Sequence, residues 1–233
     1  MKELIIGILC VFLFSCVEKE SKNVQEQESK TLSRIHFDDL VGEGMFLRNN
    51  FPIGLWRYYD SKKRLLEVKQ FIDIKNSPYL NQNWTFDIKG DTIPDLSYYY
   101  EIFFEKDTIS LKDPVKALVN LKEAFFKDQP SSIMVLIPQK KTENFNSDFS
   151  NISKVLKDTI FNLNTEKEYR EQGKLEGDYR RSAFFGRYFD TGGLKKIRGI
   201  IVEFNSDGKF SDDTNADYKE HYYYFEKDIF VKD

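Results

Sequence analysis

Apolar residues along most of this chain occur in short runs that alternate with polar residues, and turn-forming residues separate the runs. Between residues 35 and 231 there are about ten such runs, repeating about every 8 to 15 residues. The chain contains 21 Phe and 13 Tyr, and aromatic residues favour strands over helices. The pattern predicts an all-β fold with little helix, in which a short N-terminal β-meander precedes a β-sandwich, immunoglobulin-like or related.

Two segments carry more specific predictions. Ser132–Ile137 (SIMVLI) is an apolar run typical of a strand that is buried on both faces. Residues 113–126 admit two interpretations. The odd-numbered positions from 115 to 121 are apolar, as in a strand, whereas Asp113 and Pro114 are suited to begin a helix. We favour the strand, and the helix stays open as the alternative.

Two later runs, residues 178–189 and 195–204, flank the turn sequence Asp190–Gly193 and predict a hairpin. The same turn contains the triplet Asp-Thr-Gly, which is the catalytic triplet of aspartic proteases. Those enzymes need two such aspartates that share a proton, and this sequence has one triplet. We therefore interpret the triplet as part of the turn.

The pattern divides the chain into four segments. Residues 1–15 are an apolar run behind one lysine, as in a signal peptide, and are too short for a permanent transmembrane helix of about 20 residues. Residues 16–33 are polar and charged, which predicts a solvated tether. Residues 34–78 are the predicted meander, and residues 79–233 are the predicted sandwich. The sequence NSP marks the boundary between these last two segments.

The sequence Leu13-Phe14-Ser15-Cys16 resembles the lipobox of bacterial lipoproteins. The resemblance implies cleavage before Cys16 and attachment of acyl chains to that residue, so that the membrane becomes a partner through the lipid. Two or three acyl chains hold a protein on a membrane stably. The other cysteine, Cys10, would leave with the signal peptide. The remaining chain would then have no disulfide, no cysteine nucleophile and no thiolate metal site.

Two further resemblances concern the rest of the chain. The sequence GLWRYYD, from Gly54 to Asp60, resembles a MORN-like repeat unit, although residues 61–64 lack the usual turn glycine. This resemblance implies a strand, a turn and a returning strand. Residues 50–233, through segments such as Arg198–Glu203, are similar to uncharacterised lipoproteins of Bacteroidota, of flavobacterial type. That similarity implies the cell envelope and its outer membrane, with the side left open.

Charge and residue counts exclude several kinds of chemistry. The net charge is −3 and no strong basic patch is present, so we predict no nucleic-acid partner. No motif for a metal, a phosphate or a nucleophile is assembled in the sequence, and we predict no cofactor and no catalytic residue. The acidic loop 205–217 offers a weak calcium candidate in Asp207, Asp212 and Asp213. A solvated hairpin loop is the favoured interpretation.

Aromatic clusters provide the candidates for a binding surface. Successive strand residues face opposite sides of a sheet, so the runs 98–100 and 222–225 each place one ring outward unless both faces are covered. Tyr99, Tyr223 and Trp56 are therefore candidates for a ligand or partner surface. The favoured alternative for Trp56 is burial in the core. For the two tyrosine runs the favoured alternative is that both faces are covered, or that the hydroxyls simply reach water.

The sequence as a whole predicts a lipid-anchored cell-envelope binding or scaffold protein without catalytic activity. Its expected partner is an envelope protein or a glycan. The alternative is an envelope hydrolase of glycan or peptide that uses acidic residues, because 38 acidic residues allow some catalytic pair. Two inward carboxylates in a cleft would favour the hydrolase.

Overall fold

The computed structural model describes residues 30–37, 39–47, 50–164, 179–205 and 219–233. These ranges contain thirteen strands and one short 3₁₀ helix, Pro94–Leu96, so the predicted all-β fold is confirmed. No helix of the described ranges combines the length and hydrophobicity needed to cross a membrane. The strands are β1 Lys30–Phe37, β2 Leu40–Leu47, β3 Phe51–Tyr59, β4 Leu65–Ile74, β5 Ser77–Thr85, β6 Tyr99–Phe104, β7 Thr108–Ser110, β8 Val115–Glu123, β9 Ser131–Pro138, β10 Lys157–Phe161, β11 Ser182–Arg187, β12 Gly193–Asn205 and β13 Lys219–Lys232.

Strands β1 to β5 form an antiparallel meander in which each strand pairs with the next. Lys75 and Asn76 connect β4 to β5 with positive φ angles of 52° and 62°, as a two-residue hairpin turn requires. Because this turn reverses the chain within one sheet, the first sheet continues to Thr85. It therefore extends past residue 78, where the sequence placed the boundary between meander and sandwich.

The interior of the meander is organised around Trp56, which is 1% exposed. Gly44 on the neighbouring strand leaves room for the indole, because a Cβ atom at this position would lie 2.3 Å from the ring. The Phe46 ring packs beside it at a centroid distance of 4.7 Å. The indole Nε1 donates a hydrogen bond to the backbone oxygen of Met45 at 3.1 Å. The large aromatic residue is therefore buried with its polar atom satisfied.

Strands β6 to β13 form two facing sheets, as expected of a sandwich. One sheet has the strand order β10-β9-β12-β13-β7, and the other has the order β11-β8-β6. All pairings are antiparallel except that of β13 with β7. The core between the sheets contains side chains that are fully hidden from solvent, among them Val119, Ile133, Ala183, Ile201 and Tyr223.

The outer face of the five-stranded sheet is covered as well. The loop between β9 and β10 packs Phe145 and Phe149 against Ile200 and Val202 of β12. Alternate residues of β9 consequently contribute to the cores on the two sides of the sheet. The prediction that the run SIMVLI is a strand buried on both faces is confirmed.

The strand assignments decide two expectations, of which one is confirmed and one is wrong. Residues Val115–Glu123 form strand β8. The strand interpretation of residues 113–126 is therefore confirmed, and the helix alternative is wrong. The predicted hairpin of residues 178–189 and 195–204 is also wrong, because β11 pairs with β8 whereas β12 pairs with β9 and β13. Strand β12 has buried residues on both faces and therefore occupies the centre of the larger sheet. Strand β11 buries alternate residues and lies at a sheet edge.

Candidate ligand-binding cleft

The meander meets the sandwich along a seam, defined here as the region where β4 and β5 approach β6 and β13. Strand β7 pairs with residues 230–232 of β13, and no strand of the described ranges pairs with the preceding residues on that edge. Asn81 of β5 supplies the missing partner. Its Oδ1 accepts a hydrogen bond from the Tyr224 N–H at 2.8 Å, and its Nδ2 donates to the Tyr224 oxygen at 3.0 Å.

A β-bulge aims Asn81 at the sandwich. Gln70 pairs with Gln82 and Phe71 pairs with Leu80, so Asn81 is the extra residue of β5. Bulges disturb the regular alternation of a strand and re-aim a side chain. The side chain of Asn81 is consequently free to leave the meander sheet and bind β13, and the residue is 0% exposed.

Four further hydrogen bonds make the seam a closed polar network. The Gln70 Oε1 atom accepts from Asn81 Nδ2 at 2.8 Å and from Gln82 Nε2 at 2.7 Å. The Gln82 Oε1 atom accepts from the Tyr100 N–H at 2.9 Å, on the edge strand β6. The Tyr100 hydroxyl donates to the Tyr224 oxygen at 2.8 Å. These bonds attach the meander to both sheets of the sandwich and fix the walls of the space between them.

A cleft of about 460 Å³ lies in this seam. That volume lies within the range of about 300 to 1,000 Å³ that is usual for small-ligand pockets. Aromatic and aliphatic side chains form most of the wall, which also contains four polar side chains. The aromatic residues are Phe71, Tyr100, Phe149, Tyr224 and Phe225, and the polar ones are Gln70, Asp73, Ser147 and Glu226.

The two carboxylates of the cleft differ in their surroundings. Glu226 is compensated, because its Oε1 lies 2.6 Å from Lys196 Nζ and its Oε2 lies 2.5 Å from Arg198 Nε. Asp73 Oδ1 is buried and has no hydrogen-bond partner among the residues that the structure describes. Burial raises the pKa of the Tyr100 and Tyr224 hydroxyls, so both stay protonated at neutral pH. The cleft thus combines a mostly apolar wall with one unpaired carboxylate oxygen.

A second polar group of residues lies inside the sandwich and is closed to ligands. The Glu203 carboxylate is 0% exposed and accepts hydrogen bonds from the backbone N–H groups of Phe125 and Phe126, at 2.9 and 3.2 Å. The Tyr223 hydroxyl donates to the same carboxylate at 2.9 Å. Burial, and then the charge of Glu203, raise the pKa of Tyr223. Because both side chains are hidden, this arrangement stabilises the fold and offers no site for chemistry.

His221 lies beside this group of residues in a box of aromatic rings. Its imidazole stacks on Phe125 at a centroid distance of 3.9 Å, and the edges of Tyr98 and Tyr223 meet it from the sides. Burial lowers the pKa of His221 to about 4. Its buried Nε2 has no hydrogen-bond partner within the described part of the chain. The imidazole is therefore neutral at physiological pH.

The structure buries two of the three candidate surface residues, as the alternative of a covered face predicted. Trp56 and Tyr223 are 1% and 0% exposed, so their assignment to a ligand or partner surface is wrong. Trp56 fills the meander, and Tyr223 faces the sandwich core because position 223 of β13 points inward. Tyr99 is half-buried and packs against Trp84 with 5.4 Å between ring centroids. None of the three lines the seam cleft.

Other predicted site residues lie outside the described residues. These are the lipid-attachment residue Cys16 and the calcium candidates Asp207, Asp212 and Asp213. Within the ranges that the structure covers, no group of three His, Cys, Asp or Glu residues is arranged to hold a metal ion. The calcium hypothesis and the lipid anchor stay predictions.

The residues of the cleft did not stand out in the sequence, because they come from separate segments between Leu47 and Glu226 that only the fold brings together. One local signal was present. Asn81, Gln82 and Asn83 are three consecutive amide residues inside a strand, where aromatic and β-branched residues are the usual choice. All three are buried. Such a run indicates hydrogen bonds to something other than the strand's own sheet.

Comparison of the chain with protein-family models, with curated proteins and with solved structures finds no match. The resemblances to lipoproteins and to a MORN-like unit stay predictions.

Proposed function

We propose that this chain is a lipid-anchored cell-envelope binding or scaffold protein without catalytic activity, and that the seam cleft holds its ligand. The anchor is Cys16, and the membrane it occupies is the outer membrane. The ligand is an envelope protein or a glycan. The lipobox-like sequence supports the localisation at the membrane, and the seam cleft supports the binding role.

The single observation that carries the binding role is the construction of the cleft. Its walls are fixed by the buried hydrogen bonds of Gln70, Asn81 and Gln82 to both sheets of the sandwich. A preorganised apolar cleft with a few polar groups is the usual form of a ligand site, because it loses little conformational entropy on binding. A packed structural seam would be filled, whereas this one leaves about 460 Å³ open.

The alternative function, a hydrolase that uses acidic residues, draws on the two carboxylates of the same cleft. Hydrolysis of a glycoside by such a pair needs one carboxyl group as an acid and the other as a base or nucleophile. Both oxygens of Glu226 are held by Lys196 and Arg198. Asp73 is then the carboxylate of the cleft that has an oxygen without a partner among the described residues. This arrangement favours binding over catalysis.

The experiment for the binding role compares two tryptophan substitutions in one loop. Ser147 is exposed and lines the cleft, whereas Ser153 is exposed and lies away from it. Cells that carry the tagged chain are treated with a crosslinker, and captured proteins and glycans are identified by mass spectrometry. We expect a specific partner with the wild type and with Ser153→Trp, and its loss with Ser147→Trp. An unchanged partner set with Ser147→Trp contradicts the role of the cleft.

The experiment that tests the lipid anchor does not depend on the cleft. Cys16→Ser removes the attachment atom, so we expect the protein to leave the membrane fraction and to lose label from a fatty-acid precursor. Cys10→Ser changes the other cysteine and should leave both readouts as in the wild type. Continued labelling of the Cys16→Ser variant would show that no lipid is attached at this residue.

A further inference from the structure

The charges around the seam cleft are unbalanced. Among the described residues, two carboxylates line the cleft, and no lysine, arginine or histidine does. The charge of Glu226 is balanced from the neighbouring strand by Lys196 and Arg198. Within the part of the chain that the structure describes, Asp73 has no such partner for its buried Oδ1 atom. The cleft as a whole therefore favours a positively charged ligand.

Asp73 lines the cleft, and its buried Oδ1 atom has no hydrogen-bond partner among the described residues, so a cation in the cleft meets a carboxylate whose charge is not compensated. Asp73 lies near the end of β4, close to the hairpin turn at Lys75 and Asn76. The turn is itself tied to the loop over the sandwich, because the Lys75 N–H donates to the Asp148 oxygen at 2.9 Å. This attachment holds the Asp73 backbone in place at the cleft wall.

We propose that the seam cleft binds a peptide segment of a partner protein and pairs one lysine or arginine side chain of that segment with Asp73. This inference rests on the proposed binding function and names its ligand class. Lysine and arginine have an apolar stem and a charged head. The stem fits the wall formed by Phe71, Phe149 and Tyr224, and the head reaches the carboxylate. Aromatic rings also attract a cation directly.

The wall favours a peptide over an amino sugar. A sugar ring presents hydroxyl groups around its whole edge, and each needs a hydrogen-bond partner when it leaves water. The cleft offers four polar side chains, of which Gln70 is engaged by Asn81 and Gln82, and Glu226 by Lys196 and Arg198. A cationic side chain needs a single pairing and otherwise buries carbon, which matches the wall that is present.

The test uses the full chain from Cys16 onward, purified in detergent, and fluorescence anisotropy with two labelled peptides. One peptide is Ala-Leu-Lys-Leu-Ala, and in the other norleucine replaces lysine, which removes the charge and keeps the stem. We expect the lysine peptide to bind at least tenfold more tightly, since a charge-assisted hydrogen bond contributes on the order of a tenfold to hundredfold preference. Asp73→Asn should remove that preference and leave the affinity for the norleucine peptide unchanged.

Two control variants show whether the effect depends on the negative charge at position 73. Asp107→Asn makes the same change in charge at an exposed residue that pairs with Lys227 outside the cleft, and it should keep the preference. Asp73→Glu keeps the charge and should retain a preference for lysine. The four proteins are compared by thermal unfolding, so that a loss of binding can be separated from a loss of folding.

The outcomes separate this inference from the proposed function. Equal affinity of both peptides, with loss of both in Ser147→Trp, would show a binding cleft without recognition of a cation and would overturn the inference alone. Binding of a chitosan tetramer in place of the peptides, dependent on Asp73, would replace the peptide with an amino sugar and also overturn it. No binding by any probe, together with no partner in the crosslinking experiment, would overturn both.

Discussion

The side-chain amide of Asn81 pairs with both backbone groups of Tyr224, 143 residues later in the chain. It thereby takes the place of a neighbouring strand on the open edge of β13. The same residue is the extra member of a β-bulge, and the bulge allows its side chain to leave the meander sheet. One local irregularity thus joins the N-terminal meander to the sandwich and forms the seam that contains the cleft.

Asn81→Leu tests the energetic weight of this pairing. Leucine keeps the approximate volume but leaves the Tyr224 N–H without its partner, whereas the Tyr224 oxygen keeps the hydrogen bond from the Tyr100 hydroxyl. A buried, unsatisfied group costs about 1 to 3 kcal/mol, so we expect a loss of about 2 kcal/mol in the free energy of unfolding. Urea denaturation measures this loss. Tyr79→Phe removes the nearby bond from the Tyr79 hydroxyl to the Tyr222 oxygen, which water can replace, and should cost less than about 1 kcal/mol. Equal losses would contradict the special role of Asn81.

The fold class could be predicted from local pattern, and the seam could not. The run SIMVLI is apolar on both sides of a strand, and β9 is indeed buried between two layers. Alternation also predicted strands within residues 178–189 and 195–204, where the structure has β11 and β12. It carries no information on which strands pair, and so the hairpin predicted between them was wrong. Pairing depends on which faces the rest of the chain covers, and that is settled only by the complete fold.

The buried tyrosine shows the same limit at the level of a single residue. The cluster from Tyr222 to Phe225 places adjacent rings on opposite faces, which the sequence predicted correctly. Which face is covered depends on the second sheet and on the loop between β9 and β10. In the structure Tyr223 faces the core and Tyr222 faces outward, so the residue chosen for a partner surface was the inward one.

Tyr223→Phe tests the support of the Glu203 carboxylate. The substitution removes one of the three donors to a buried charge, and a hydrogen bond to a charged group contributes about 1.5 to 3 kcal/mol. We expect a loss of about that size in the free energy of unfolding by urea. Tyr222→Phe is the matched control, since the Tyr222 hydroxyl donates to Glu220 at the surface and should contribute less than about 0.5 kcal/mol. A Tyr223→Phe protein as stable as this control would show that the Glu203 carboxylate does not need its third donor.

Gly44→Ala tests the packing of the meander. A Cβ atom at Gly44 would lie 2.3 Å from the Trp56 ring, which has no space to move because it is 1% exposed. Overpacking of this kind costs about 1 to 3 kcal/mol. Gly186→Ala is the control, because a Cβ atom there meets nothing closer than 3.8 Å, and it should change stability by less than about 0.5 kcal/mol. Tryptophan fluorescence during urea unfolding, measured in a Trp84→Phe background, reports on Trp56, because Trp84 is the second tryptophan of the chain. Equal stabilities of the two variants would contradict the close approach of Gly44 to the indole.

His221 makes stability depend on pH in a predictable direction. Its pKa is 6.5 in an unfolded chain and about 4 in the folded protein, where burial disfavours the charged imidazole. The unfolded state therefore binds more protons between these values. The contribution is fully present above pH 6.5 and is lost as the pH falls from 6.5 through 4. At pH 5 the loss amounts to about 2 kcal/mol relative to pH 8.

The measurement is the free energy of unfolding of wild type and His221→Phe at pH 8 and pH 5. Phenylalanine preserves the stack on Phe125 and cannot be protonated, so we expect the variant to lose about 2 kcal/mol less than the wild type between the two pH values. Carboxylates contribute equally to both proteins and cancel in this comparison. His36→Phe makes the same change at the exposed histidine and should follow the wild type. If His221→Phe also follows the wild type, the imidazole is not the group that senses pH in this range.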